Sequence, residues 1–142
     1  MENKATVYKV VRNVNGVLMS AIQGPVTLAY RIGEPVGASD ALPEGGPLAF
    51  STFDAALSFA KFEAKLAYLY GRPEQFEVYE AIGEGVEPVQ LLSRDMTVEW
   101  RRLFWQHPER FTGTDVFAAP RGTVVTRCLT LVRKVWEDHG EM

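Results

Sequence analysis

The chain has 142 residues, 46% of them apolar and 23% charged, a make-up that suits one globular domain able to bury its own core. A formal charge of −3 at pH 7 excludes a global basic field for DNA, RNA or an anionic membrane surface. The lone cysteine, Cys128, excludes an internal disulfide and a cysteine-based metal cluster, and His107 and His139 form no ligand pair, so no metal and no cofactor is expected. No segment reaches the roughly 18 apolar residues of a membrane span, and the opening MENKATVYKVV has no apolar signal region. A soluble, cytoplasmic protein is the expectation.

Residues 6–14 are rich in β-branched side chains and run into Asn15-Gly16, the strongest short hairpin signal, because both positions of a type I′ turn need positive φ. Residues 17–22 should pair back, and residues 26–32 should add a third antiparallel strand. In the first strand Tyr8, Val10 and Arg12 alternate with Val7, Lys9, Val11 and Asn13, which makes Tyr8 and Arg12 candidate ligand-side residues. Residues 33–46 read as a loop with a short strand at Pro35-Val36. The apolar triplet Leu48, Ala49 and Phe50 leads to Ser51, a helix cap with Asp54 three residues on. The helix predicted over residues 52–70 has a narrow polar stripe, Asp54, Ser58, Lys61 and Lys65, and Phe53, Leu57, Phe59, Phe62, Leu66 and Leu69 around the rest. Gly71 and Pro73 stop it.

Residues 75–82 predict a strand with Phe76, Val78, Glu80 and Ile82 on one face and Glu77, Tyr79 and Ala81 on the other. A second, shorter helix is predicted from Asp95, with Met96, Trp100, Leu103 and Phe104 at helical spacing and His107-Pro108 as its end. An aromatic-anchored loop over 109–120 and a long strand over 122–135 complete the chain. The expected fold is a single α+β domain over residues 1–142. It comprises a mainly antiparallel sheet of about five or six strands, one long helix packed on it and a second short helix. A helix apolar on most sides also predicts a homo-oligomer.

Catalytic signatures are absent: there is no G-x-S-x-G, no Walker loop and no G-x-G-x-x-G. One ordered set of residues bears on chemistry: Tyr30-Arg31 on an early strand, Leu48-Ala49-Phe50-Ser51-Thr52 entering a helix, and Phe76-Glu77-Val78-Tyr79-Glu80 on a later strand. This order resembles ADP-ribosyltransferases, and the resemblance implies an NAD-using enzyme with a catalytic Glu77 or Glu80. A spacing of three in a strand sets those two on opposite faces, so one at most serves.

The flow of YKVVRNVNGVLMSA, the Tyr30 to Gly33 step, GGPLAFSTFDAALSFA, FEVYEA and PRGTVVTRCLTLVRKV resembles small phage-type proteins. It is also similar in style to anti-defence nucleotide sponges such as the Thoeris anti-defence family. That likeness implies a non-enzymatic oligomer that sequesters a nucleotide signal in the host cytoplasm. The residues themselves support anion binding: Pro120-Arg121-Gly122-Thr123 combines a guanidinium fork, a glycine that lets backbone N–H groups approach, and a hydroxyl. The candidate ligand site is therefore Arg31 and Arg121 as cations, Ser51 and Thr123 as hydroxyl donors, and Tyr30 or Phe50 as an aromatic wall. A third expectation is a protein-binding inhibitor that covers a host factor with the aromatic residues between 100 and 117.

Overall fold

The computed structural model describes residues 3–21, 28–37, 47–71, 75–89 and 120–138, together with the backbone of 91–93 and 116–118. The elements are β1 (Lys4–Val14), β2 (Val17–Ser20), β3 (Ala29–Tyr30), β4 (Pro35–Gly37), β5 (Leu48–Phe50), α1 (Phe53–Leu69), β6 (Gln75–Glu84), β7 (Glu87–Pro88), β8 (Leu91–Ser93), β9 (Val116–Ala118), β10 (Thr123–Val125) and β11 (Cys128–Glu137). Nine strands form one sheet in the order β4-β11-β6-β1-β5-β10-β7, with β2 and β3 added on β1, while β8 and β9 pair separately.

The backbone of this sheet is β1 against β6, antiparallel from Lys4↔Glu84 to Asn13↔Gln75. The second edge of β1 is divided. Its middle meets β5 at Tyr8↔Phe50, and its end meets β2 from Val11↔Ser20 to Val14↔Val17. Asn15 and Gly16 take φ of 53° and 86°, the left-handed pair that a two-residue hairpin needs, and the Gly16 N–H donates to Asn13 Oδ1 at 2.9 Å. From β3 the chain bends through residues 31–34 into β4, which pairs with β11. At that bend the Gly33 N–H donates to the Leu131 carbonyl at 2.9 Å. The run β1-β2-β3, bend, β4-β11-β6 and back to β1 is thus a small ring, completed between β3 and β4 by the bend and its bond to Leu131 rather than by a strand ladder.

Alternation along the strands gives the sheet two cores. Val7, Val11, Leu18, Tyr30, Tyr79, Ala81, Leu129 and Leu131 fill the inside of the ring, with Ala49 and Val124. Val10, Phe50, Phe76 and Val78 lie on the other face, under α1. The helix is capped by Thr52, whose extended backbone (φ −129°, ψ 155°) lets its side chain accept the Ala55 N–H at 3.2 Å. The side of α1 against the sheet is made of alanines: Ala56, Ala60, Ala64 and Ala67 are its buried residues. Small side chains let the helix axis approach the strands. The larger ones stand to the sides, and Phe62, Tyr68, Leu69 and Tyr70 are exposed.

These findings correct the expected fold. The main sheet has nine strands rather than five or six. Five of them, β3, β4, β5, β7 and β10, have only two or three residues. Such strands are too short to show a two-residue alternation and exist because a longer neighbour supplies their hydrogen bonds. The helix has 17 residues and starts one position later than predicted, because Thr52 rather than Ser51 is its cap. It is the one helix among the described residues, and the second helix predicted from Asp95 lies outside them. The predicted strand over 122–135 is two strands. It breaks at Thr126, whose N–H and hydroxyl both donate to the Pro47 carbonyl at 2.9 Å.

Candidate functional site

Two places in the fold bring together side chains with chemistry, and the first is the start of α1. β5 and β10 pair antiparallel through Phe50↔Thr123, Ala49↔Val124 and Leu48↔Val125. Beyond that ladder, the Ser51 N–H donates to the Gly122 carbonyl at 2.9 Å, which sets the Pro120–Thr123 turn against the first turn of the helix. Only glycine fits the contact. Gly122 has φ 85°, and a Cβ there would meet the Ala55 Cβ at 2.8 Å, with Ser51 Oγ at 3.6 Å. Of the six nominated residues, Phe50, Ser51, Arg121 and Thr123 therefore converge. Their roles differ from expectation, since Phe50 is buried against Phe59 (centroids 5.2 Å) and the Thr123 hydroxyl is spent on the Pro120 carbonyl at 2.5 Å. Ser51 and Arg121 remain exposed, and the Phe53 and Asp54 N–H groups at the start of the helix have no acceptor within it.

Tyr30 and Arg31 are elsewhere. Tyr30 belongs to the core inside the ring and Phe50 to the core under α1, so the two cannot form one wall. Arg31 is exposed at the bend after β3. Tyr8 and Arg12 are packing residues on the helix side: the Tyr8 ring meets Phe53 edge-on at 5.9 Å, and buried Arg12 donates from Nε to the Ser20 carbonyl at 2.9 Å.

The second place is a row of polar side chains inside the ring. Lys9 is buried, donates from Nζ to the Leu48 carbonyl at 2.6 Å, and lies 5.4 Å from the Tyr30 ring centroid. Burial pushes the Tyr30 hydroxyl well above the ordinary tyrosine range. Ser20 beside it acts in the opposite sense, and burial outweighs it. Directly across from Lys9 is Tyr79, and across from Val11 is Glu77. The Glu77 carboxylate, 1% exposed, accepts from Tyr79 Oη at 3.0 Å and Asn13 Nδ2 at 3.1 Å, and Lys134 Nζ stands 3.8 Å away. Lys134 also donates to Glu137 at 2.9 Å, and that bond, ahead of the nearby Glu77 charge, holds its ammonium above the usual lysine range.

Sequence reading missed this row. Its signal was present on two strands, where Lys9 and Asn13 alternate on one face of β1, as do Glu77 and Tyr79 on β6. Lys134 was hidden, because the register shift between Leu131 and Arg133 reverses the alternation that would point it outward.

The row has a pH signature. Burial, then the hydrogen bond and charge of Glu77, push the Tyr79 phenol up to about 12 from its ordinary value of 10.0. The folded state thus holds the proton more tightly than the unfolded chain. The resulting stability is whole below about pH 10 and is lost as pH rises toward 12, a loss on the order of 2 kcal/mol. Urea titrations at several alkaline pH values should show this decline, and Tyr79→Phe should make it shallower. An identical slope in the variant would remove Tyr79 from the account.

The residues tied to the ADP-ribosyltransferase likeness are placed as follows. Thr123, Phe50, Tyr8 and Glu80 lie in one cross-strand line, and Glu80 Oε2 is held by Arg133 Nε at 2.7 Å. Glu77 faces the ring interior and is fully engaged there. No helix among the described residues is long and apolar enough to cross a membrane. Comparison of the chain with protein families, curated proteins and solved structures finds no match.

Proposed function

We propose that the protein is a non-enzymatic binder that captures a small anionic, nucleotide-like ligand and holds it unaltered, as an anti-defence sponge in the cytoplasm of a phage-infected cell would. The observation that carries this reading is the placement of the Ser51 and Arg121 segments next to each other at the start of α1. Both are exposed, and the bond between the Ser51 N–H and the Gly122 carbonyl sets their chain segments side by side. A phosphate there would receive a guanidinium fork, a hydroxyl and the positive end of the helix. Self-assembly belongs to the same proposal. Ile32 and Val132, exposed on either side of the bond between Gly33 and Leu131, supply apolar surface for it, and light scattering reads the mass.

The experiment is calorimetry against cyclic di- and trinucleotides and cyclic ADP-ribose isomers, followed by heat release of the ligand to see that it emerges intact. An arginine-phosphate pair is worth about 1.5 to 3 kcal/mol, so Arg121→Ala should weaken binding by about 10- to 150-fold. Melting should be unchanged, because the side chain is exposed. Ligand recovered as a hydrolysed or transferred product would replace this reading with an enzymatic one. Silence across the whole panel would end it.

A further inference from the structure

The flank of α1 turned away from its alanine face carries Phe59, Phe62, Leu66 and Leu69, at alternating spacings of three and four. That is the spacing of a coiled-coil seam. Phe59 and Leu66 are half-buried at its base, whereas Phe62 and Leu69 are 58% and 64% exposed. Lys61 and Lys65 are exposed along one border of the seam, and neither has an ion-pair partner among the described residues. An apolar seam with a cationic border, on a helix already held rigid by the sheet, is half of a helix–helix interface.

We propose that this seam docks a helix of a partner protein, one apolar at matching positions and acidic along the border that meets Lys61 and Lys65. Charge selects this occupant over two others. Antiparallel pairing of two α1 seams would set Lys65 against Lys65, so a second copy is repelled along the cationic border. An anionic bilayer would gain about 1 kcal/mol from each of two lysines while facing a protein of net charge −3. An acidic amphipathic helix pairs both lysines and covers the apolar residues together.

The test uses two fluorescein-labelled helical peptides, both with leucine at the seam positions, one flanked by glutamate and the other by lysine. Fluorescence anisotropy with the full chain should show at least tenfold tighter binding of the glutamate peptide. Phe62→Asp with Leu69→Asp should abolish it. Lys61→Glu with Lys65→Glu should reverse the preference, with melting unchanged because all four side chains are exposed. Equal binding of the two peptides, or binding that survives Phe62→Asp with Leu69→Asp, overturns the proposal. So does a dimer by light scattering that Phe62→Asp dissociates, or binding of 1:1 phosphatidylcholine–phosphatidylglycerol vesicles that the same change removes.

Discussion

Glu77→Ala should destabilise the fold by about 2 to 4 kcal/mol, because it strands two hydrogen-bond donors, each at a cost of about 1 to 3 kcal/mol, beside a buried position. Against a total stability of about 5 to 15 kcal/mol for a domain, that is a large fraction. The loss is not of one bond. The Tyr79 hydroxyl and the Asn13 amide lose their acceptor, Lys134 loses one of its two anions, and a void opens beside Tyr79. Glu77→Gln keeps the volume and an acceptor for Tyr79, and it should cost less. Urea denaturation at pH 7 measures both. A Glu77→Ala variant within about 1 kcal/mol of the parent would mean that water satisfies the stranded groups, and the row would then be peripheral to stability.

Leu57→Pro should cost about 3 kcal/mol or more. The residue lies within the 17-residue helix, where proline removes the hydrogen bond to the Phe53 carbonyl and drives its ring into the preceding turn. The damage would spread to the sheet, since Ala56 and Ala60, on either side in the sequence, are fully buried against it. Phe62→Ala, at an exposed position of the same helix, should change stability by less than about 0.5 kcal/mol. Circular dichroism melts compare the two. Equal effects would contradict the assignment of the alanine side as the buried one.

That contrast marks how far α1 was legible. Its extent followed to within one residue at each end from the Ser51 cap signal, which was one position early, and the Gly71-Pro73 stop. Its orientation did not, because hydrophobicity ranks Phe62 and Leu69 above alanine, whereas close approach to a sheet favours the smallest side chains. The strands divide in the same way. β1, its hairpin turn and β6 are long enough to display alternation. β3, β5 and β10 are not, so the pairing that brings Ser51 beside Gly122 came from the structure alone. The polar row was half legible: Lys9, Asn13, Glu77 and Tyr79 keep strict alternation, while Lys134 reaches them through a bulge that no periodicity announces.

The divided edge of β1 and the ring it belongs to also bear on how the chain acquires its shape. β6 has β1 on one side and β11 on the other, partners drawn from the first and last strands described. During synthesis one whole edge of β1 stays unpaired until residues 75–84 leave the ribosome, and the ring stays open until residues 128–137 follow. Loop closure over such separations is slow. Nascent chains therefore pass through a period in which the inner edge of β6 and the apolar residues Leu129 and Leu131 await each other. Yield in the cell then depends on how quickly that last strand docks as much as on the final free energy of the fold.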